Sequence, residues 1–326
     1  MTHNLSFTDT GLGRADEMLP SPADSGSDRH GASGQPSGDG GLLAAPVAEA
    51  LMTNDLQTSG LAEAGVRAGG CFARPLPLDR TCASAARRFY REALAGISLP
   101  TDLVHDGITM ASELAANTLH AQGNIEFTGS RQRPVSGMPE FWLYLRGRGA
   151  ACELVCKVFD SDPYWNVPGQ PGPGPDPASA DAVSGRGLQV VAQLSGGRWG
   201  KHASRGRLGS WKVPGKAVWF AQRVPPAAGP VRSGRPEPTS GEAVDELESM
   251  LANRGLGGRL VRIDEPGGFI SVLSVSRYLT VWRHNGTVSW KTPEGGYRRV
   301  PLCDLVDVAD QIISAHEELA RATVGR

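Results

Sequence analysis

Side chains that can bind a metal ion or take up a proton recur at helical spacing around Glu113. Asn117 and His120 follow Glu113, and Asp106 precedes it by two helical turns. At 100° per residue Asp106, Asn117 and His120 fall within about 40° of Glu113 around the helix. A carboxylate, an amide and an imidazole in one stripe can bind a cation and accept a proton. A solvated helix face gives the same pattern, and on this stripe alone we favour that interpretation.

A second acidic residue, Asp160, ends a strand predicted over 152–160. Residues 161–184 then hold six prolines and no Lys or Arg. A loop of this length inside a compact domain is usually a lid or a binding loop. It leads into Gly185-Arg186-Gly187-Leu188, at the start of a predicted helix. Glycines at a helix N-terminus let backbone N–H groups approach a phosphate, although many such glycines only form tight turns.

The charge of the chain is uneven around this glycine segment. Residues 186–216 contain seven Lys or Arg and no acid, whereas the whole chain has a net charge of −1. The local excess suits a bound polyphosphate, and a basic sheet edge that resists aggregation accounts for several of these residues as well. The near-zero total excludes a global field that would draw the protein to nucleic acid or to an anionic membrane.

Five segments resemble, in order and spacing, the motifs of the histidine-kinase-like ATPase family (the GHKL fold). Glu113-Leu-Ala-Ala-Asn117-Thr-Leu-His120-Ala121 is similar to its N box, and Val158-Phe-Asp160-Ser-Asp-Pro163 to its first glycine box. Gly185–Ser195 is similar to the second glycine box. The last two segments, Arg198-Trp-Gly200 and Gly215-Lys-Ala-Val-Trp-Phe220, are similar to the following strands of short, stand-alone actinobacterial members. The resemblance covers about 150 of the 326 residues.

The resemblance implies a role for each matching position. Asn117 would ligate the Mg²⁺ that bridges the phosphates of ATP, and Glu113 would orient or deprotonate the attacking group. Asp160 would accept a hydrogen bond from the adenine amino group. His120 would reach a phosphate or would be an ordinary helix-end histidine. The phosphates would be lined by Gly185, Arg186, Gly187 and Leu188.

Hydrophobic periodicity predicts the elements that must position these residues. Helices are expected over 81–96, 102–121 and 187–195, and the side of the second helix opposite Glu113 is apolar, with Val104, Ile108, Ala111, Ala115 and Leu119. Strands are expected over 141–146, 152–160, 198–203, 207–213 and 217–224. The predicted fold is an α+β two-layer sandwich in which a mixed sheet carries its helices on one face.

Composition divides the chain further. Residues 1–70, rich in Ser, Gly, Asp and Pro, are predicted to be a disordered tail, and 224–240 a proline-rich linker. The ATP-binding domain would span 71–223, and 241–326 would form a small α+β module for which we expect an interaction role. The module is predicted to contain helices over 242–254 and 302–322, strands over 259–264, 269–274, 278–284 and 287–291, and a hairpin turn at Asn285-Gly286.

Cysteine usage and hydropathy indicate the compartment. Five cysteines, an odd number spread along the chain, favour a reduced, cytoplasmic protein, with Cys152 and Cys156 as strand residues rather than zinc ligands. No apolar run approaches the ~18 residues of a membrane helix. The N-terminus lacks the cationic and apolar segments of a secretory signal.

Two functions follow from the resemblance. The first is a serine/threonine protein kinase of the anti-sigma-factor type, which uses ATP and Mg²⁺ and acts on a protein partner, a sigma factor or its antagonist, without direct contact to nucleic acid or membrane. The second is a non-catalytic regulatory module whose ATP-ordered lid controls partner binding. The absence of glycine in Asp160-Ser-Asp-Pro163, and Lys216-Ala217 where the family has Thr or Ser, favour the second. The presence of Glu113 favours the first. A homodimer is left open, whereas a sensor histidine kinase would need a membrane span and a histidine-bearing hairpin.

Overall fold

The computed structural model describes residue 66 and residues 69–127, 137–161, 186–209, 212–226, 239–292 and 295–324, apart from the side chains of 120–127, 240 and 324. The predicted tail, lid and linker therefore lie largely outside the described residues, as do Gly185 and the side chain of His120. None of the helices in these ranges is long and apolar enough to cross a membrane.

The first sheet has five strands, which are β1 (Cys71–Pro75), β2 (Glu140–Arg146), β3 (Glu153–Asp160), β4 (Trp199–Arg205) and β5 (Pro214–Arg223). Their order is β1-β2-β3-β5-β4. Every neighbouring pair is antiparallel, so the prediction of a mixed sheet is wrong. Strands β3 and β4 run in the same direction, but β5 lies between them. No strand of this sheet therefore has a parallel neighbour.

Three helices pack on one face of this sheet: α1 (Cys82–Ala93), α2 (Thr101–Phe127) and α3 (Arg186–Leu194). The apolar side predicted for α2 is confirmed, because Ile108, Ala111 and Ala115 are buried in the core between helices and sheet. Phe141, Leu143, Leu154 and Cys156 form the strand side of this core. Burial of this face is what orients the polar side of α2 away from the sheet.

The predicted strand over 207–213 is wrong for the positions that the structure describes. Residues 207–209 turn away from the sheet, and Gly209 has a φ of +74°. The backbone N–H groups of Arg207 and Leu208 donate to the Glu140 carboxylate at 2.7 and 3.0 Å. These amides are satisfied by a buried side chain, so they need no neighbouring strand.

The remaining chain begins with α4 (Ser240–Leu251) and ends with α5 (Leu305–Val324). Between them lie β6 (Val261–Asp264), β7 (Ile270–Ser276), β8 (Leu279–His284), β9 (Thr287–Lys291) and β10 (Tyr297–Pro301). These strands form a second antiparallel sheet in sequence order. The predicted turn at Asn285-Gly286 is confirmed, with φ angles of +46° and +72° that match a type I′ hairpin.

The last helix, α5, packs on the face of the first sheet opposite to α1, α2 and α3. Val306 shares a buried cluster with Tyr144, Val155 and Ala221, and the Tyr144 hydroxyl donates to Asp307 at 2.8 Å. The three helices within residues 71–223 thus lie on one face, as the sequence predicts, and α5 from the C-terminal part of the chain covers the other face. Strand β2, Glu-Phe-Trp-Leu-Tyr-Leu-Arg, is apolar on both sides, which is typical of a strand covered on both faces.

Candidate functional site

The polar stripe of α2 meets the N-terminal turn of α3. A Cβ atom placed on Gly187 would lie 2.6 Å from Glu113 Oε2 and 3.5 Å from Asn117 Nδ2. The structure therefore brings Gly187 against two residues of α2, the nearer of which, Asn117, is 70 residues away in sequence. Only a glycine fits at this point without displacing the Glu113 carboxylate.

The Asn117 amide is the unsatisfied polar group of this contact. Its Nδ2 atom is buried and has no hydrogen-bond partner among the described residues. A buried amide nitrogen without a partner costs about 1–3 kcal/mol, so a ligand or a water molecule that pairs with Asn117 would stabilise this site. Rotation of the amide by half a turn exchanges nitrogen and oxygen, which would place the oxygen, a suitable Mg²⁺ ligand, in the same position.

Gln222 on β5 joins this sheet to α2. Its Nε2 atom donates to the Leu103 carbonyl at 2.9 Å, and Gln222 lies opposite Leu154 in the β3–β5 register. Helix α2 also packs directly on β3, the strand that ends at Asp160.

The Asp160 carboxylate faces the helices but is already paired. It is 2% exposed, and its Oδ1 atom lies 3.1 Å from the Lys216 ammonium, which is directly opposite on β5. The adenine amino group that the sequence predicts at Asp160 would share this carboxylate with Lys216.

Gly215 holds the strand end beside this pair. A Cβ atom at Gly215 would lie 2.2 Å from the Asp160 carbonyl, so no larger residue fits without moving the backbone. The Gly215 carbonyl accepts a hydrogen bond of 2.9 Å from Arg321 on α5. The C-terminal helix thus contacts the same strand end that carries Asp160.

Two further predicted residues lie on α3. Arg186 is exposed at the first position of the helix, and the Leu188 side chain packs against the helix-side core. Leu188 therefore offers only its backbone toward a ligand. The phosphate-lining role predicted for this turn stays a prediction, and Gly185 and the His120 side chain lie outside the described part of the chain.

The basic residues of 186–216 find much of their countercharge elsewhere in the fold. Arg198 lies 3.8 Å from Glu153, Arg205 pairs with Glu317 on α5, and Lys216 pairs with Asp160. Burial, reinforced by the charge of Lys216, lowers the pKa of Lys201. The surplus available to a polyphosphate is therefore smaller than the sequence suggests.

Sequence reasoning missed a buried ionic cluster on the other face of the sheet. Asp310 on α5, 1% exposed, pairs with Lys157 of β3 and lies 3.3 Å from Arg254. Burial alone would raise the pKa of Asp310, but the surrounding cations hold it well below its usual range. Burial, followed by the charge of Lys157, lowers the pKa of His202 to about 4, so this imidazole is neutral at pH 7. The cluster fastens α5 to the sheet rather than forming part of the α2–α3 site.

A cleft of about 350 Å³ opens beside this cluster, between the sheet and α5. Arg146, His202, Trp219 and Trp290 contribute to its walls. Glu113, Asn117, Asp160 and Gly187 do not, so this cleft is separate from the α2–α3 site. Among the described residues, no group of three or more His, Cys, Asp or Glu side chains is arranged to hold a metal ion.

Comparison with known proteins gives no relative. No protein-family model matches the sequence, and no curated protein is significantly similar to it. The likeness to histidine-kinase-like ATPases thus depends on the five motifs and on the geometry described above.

Proposed function

We propose that the protein binds Mg·ATP at the α2–α3 site and acts as a regulatory serine/threonine protein kinase of the anti-sigma-factor type. The observation that carries the proposal is the buried Asn117 amide nitrogen beside Glu113 and Gly187, which has no hydrogen-bond partner among the described residues. A bound Mg²⁺ would neutralise charge on the phosphates, which phosphoryl transfer requires. Such a polar atom next to the N-terminus of a helix suits a phosphate-bearing ligand.

Each side chain has a task in this proposal. The Asn117 amide holds the metal ion, and the Glu113 carboxylate accepts the proton of the attacking serine or threonine hydroxyl. Backbone N–H groups of the first turn of α3 would bind the phosphates, because the helix dipole favours negative charge there. Asp160 would select adenine by accepting a hydrogen bond from the adenine amino group.

A non-catalytic nucleotide-binding module is the second candidate. The observation that favours it is the ion pair of Asp160 with Lys216, at 3.1 Å, where the family has a small hydroxyl residue. This pair weakens the carboxylate as an acceptor for adenine. A protein with this change can still use ATP to order a loop without turning it over.

Phosphate transfer from labelled Mg·ATP to co-encoded partner proteins distinguishes the two candidates. We expect wild type to label a partner on Ser or Thr, and Glu113→Gln to lose at least about 10²-fold in rate while it still binds the nucleotide. Glu92→Gln, on the exposed side of α1, is the matched control and should label normally. Nucleotide binding without any labelling, and equal behaviour of Glu113→Gln and wild type, would leave only the non-catalytic module.

A further inference from the structure

We propose that the outer face of the second sheet is a docking surface for a protein segment that carries apolar side chains next to carboxylates. This surface is distant in sequence from the α2–α3 site, and the inference does not depend on nucleotide binding. It assigns a partner chemistry to the part of the chain for which the sequence predicts only an interaction.

Strand register defines this outer face. Leu273, Val281, Val288 and Trp290 point inward and are buried with α4 and α5. The residues between them point outward, and the register aligns them in rows across the strands. One row runs from β6 to β10 through Ile263, Val272, Trp282, Ser289 and Arg299.

The β6–β8 side of this face is apolar and exposed. Val261 is 57% exposed, Ile263 66% and Trp282 48%. Within the described residues, six of the eight exposed large apolar side chains lie between Val261 and Tyr297. Scattered exposed apolar residues need no explanation, but a contiguous group on one sheet face is typical of an interaction site.

The β9–β10 side of the same face is basic. Lys291 and Arg299 are exposed and outward-facing, and His284 lies on the adjoining strand. No Asp or Glu occupies an outward-facing position of β6 to β10, so these cations have no carboxylate within their own face. The nearest acid on β6, Asp264, faces the opposite way and pairs with Arg262.

These features favour an acidic, amphipathic protein segment over other occupants. The aliphatic side chains Val261, Ile263 and Val272 match apolar side chains of a protein. Among the described residues of this face, single-stranded nucleic acid would have only Trp282 and Tyr297 as aromatic platforms for its bases. A second copy of this chain, related by a two-fold axis, would bring one acid-free face against another and would supply no carboxylate to Lys291 and Arg299. A partner with carboxylates beside its apolar side chains satisfies both halves of the face.

Calorimetric titration of the full chain tests this assignment. The probe is a synthetic amphipathic peptide with leucine on one side and glutamate on the other, and two comparison ligands are the same peptide with lysine for glutamate and an oligothymidylate. We expect the acidic peptide to bind, and the separate variants Ile263→Asp and Arg299→Glu to weaken it at least about tenfold. Arg91→Glu, an exposed change on α1, should bind like wild type.

Circular dichroism melts of each variant establish that these surface changes leave the fold intact, and sedimentation establishes whether the chain self-associates. The proposal is overturned if the lysine peptide or the oligothymidylate binds as tightly as the acidic peptide. It is also overturned if the two variants bind like wild type, or if they act by breaking a dimer. Loss of Mg·ATP binding in any of these proteins would bear on the α2–α3 site and not on this face.

Discussion

Gly187 sets the position of the Glu113 carboxylate. An added Cβ atom would lie 2.6 Å from Glu113 Oε2, which is the end of a flexible side chain, so Gly187→Ala should move the carboxylate without unfolding the protein. We expect phosphate transfer to fall at least about tenfold, since a small misplacement of a reacting group is costly, while the free energy of unfolding changes by about 1 kcal/mol or less.

Gly241→Ala is the matched control, because Gly241 is also the second residue of a helix and an added Cβ there has open space. Transfer assays and urea melts on both variants are the measurements. Equal transfer rates for Gly187→Ala and wild type would show that the Glu113–Gly187 contact has no part in the reaction.

Asp160 offers a second change at a single residue. Asp160→Asn keeps the side-chain shape but removes the charge that pairs with Lys216 at 3.1 Å. We expect affinity for Mg·ATP to drop about tenfold and the preference for ATP over GTP to shrink, because an amide accepts from the adenine amino group less strongly than a carboxylate. Competition binding with GTP measures this, and Asp264→Asn, an exposed ion-paired acid, should leave the preference unchanged.

At the scale of elements, the contact between α5 and the first sheet is the pH-sensitive part of the fold. His202 on β4 faces Lys157 and Asp310, and its folded-state pKa of about 4 lies below the ordinary 6.5. As the pH falls from 6.5 to 4, His202 therefore takes up a proton in the unfolded chain but stays neutral in the folded chain. We expect the free energy of unfolding to drop by roughly 3 kcal/mol over this range.

His202→Gln should remove most of that drop, and His284→Gln, on the exposed side of the second sheet, should keep it. Denaturant titrations at several pH values provide the comparison. If the free energy of unfolding depends on pH in the same way in His202→Gln and in wild type, this account of the contact between α5 and the first sheet is contradicted. Asp310 affects the free energy of unfolding in a lower pH range. Its pKa is lowered in the folded state, so the ionised carboxylate stabilises the fold above about pH 4, and this stabilisation is lost only in stronger acid.

The elements that could be predicted from the sequence are those with a long or regular pattern. Helix α2, strands β2 and β3 and the Asn285-Gly286 hairpin follow from periodicity and turn chemistry. Strands β1 and β10 are five residues each and end in Pro, so their alternation of polar and apolar residues is too short to predict a strand. The stripe of Glu113 and Asn117 was predictable because both lie on one helix. Its contact with Gly187 and the Asp160–Lys216 pair depend on packing and register between distant segments.

At the scale of the whole molecule, the first sheet depends on the C-terminal part of the chain. Without α5, the buried faces of Tyr144, Val155 and Ala221 would be open to water, and Lys157 would lose Asp310. A chain that ends at residue 226 should therefore aggregate or melt at least about 10 °C below the full chain. Thermal melts and sedimentation measure this, and a monomeric fragment with an unchanged melting temperature would show that the first sheet is independent.

The two predicted domains have separate cores, but they also pack against each other. Residues 71–223 and 241–324 each have a core of their own, and they share the buried cluster around Val306. Arg321 on α5 reaches the Gly215 carbonyl beside Asp160, so α5 contacts both the second sheet and the strand end of the candidate site. A partner on the second sheet would thereby act on an element that touches this strand end.

Equilibrium binding of Mg·ATP to wild type and to Asn117→Ala is the most direct measurement of the central claim. We expect wild type to bind and Asn117→Ala to bind at least about tenfold more weakly, because the variant removes the buried amide that would hold the metal ion. Thr109→Ala, an exposed change on the same helix, should bind like wild type. Failure of wild type to bind Mg·ATP, or equal affinity of Asn117→Ala and wild type, would contradict the assignment of the α2–α3 site.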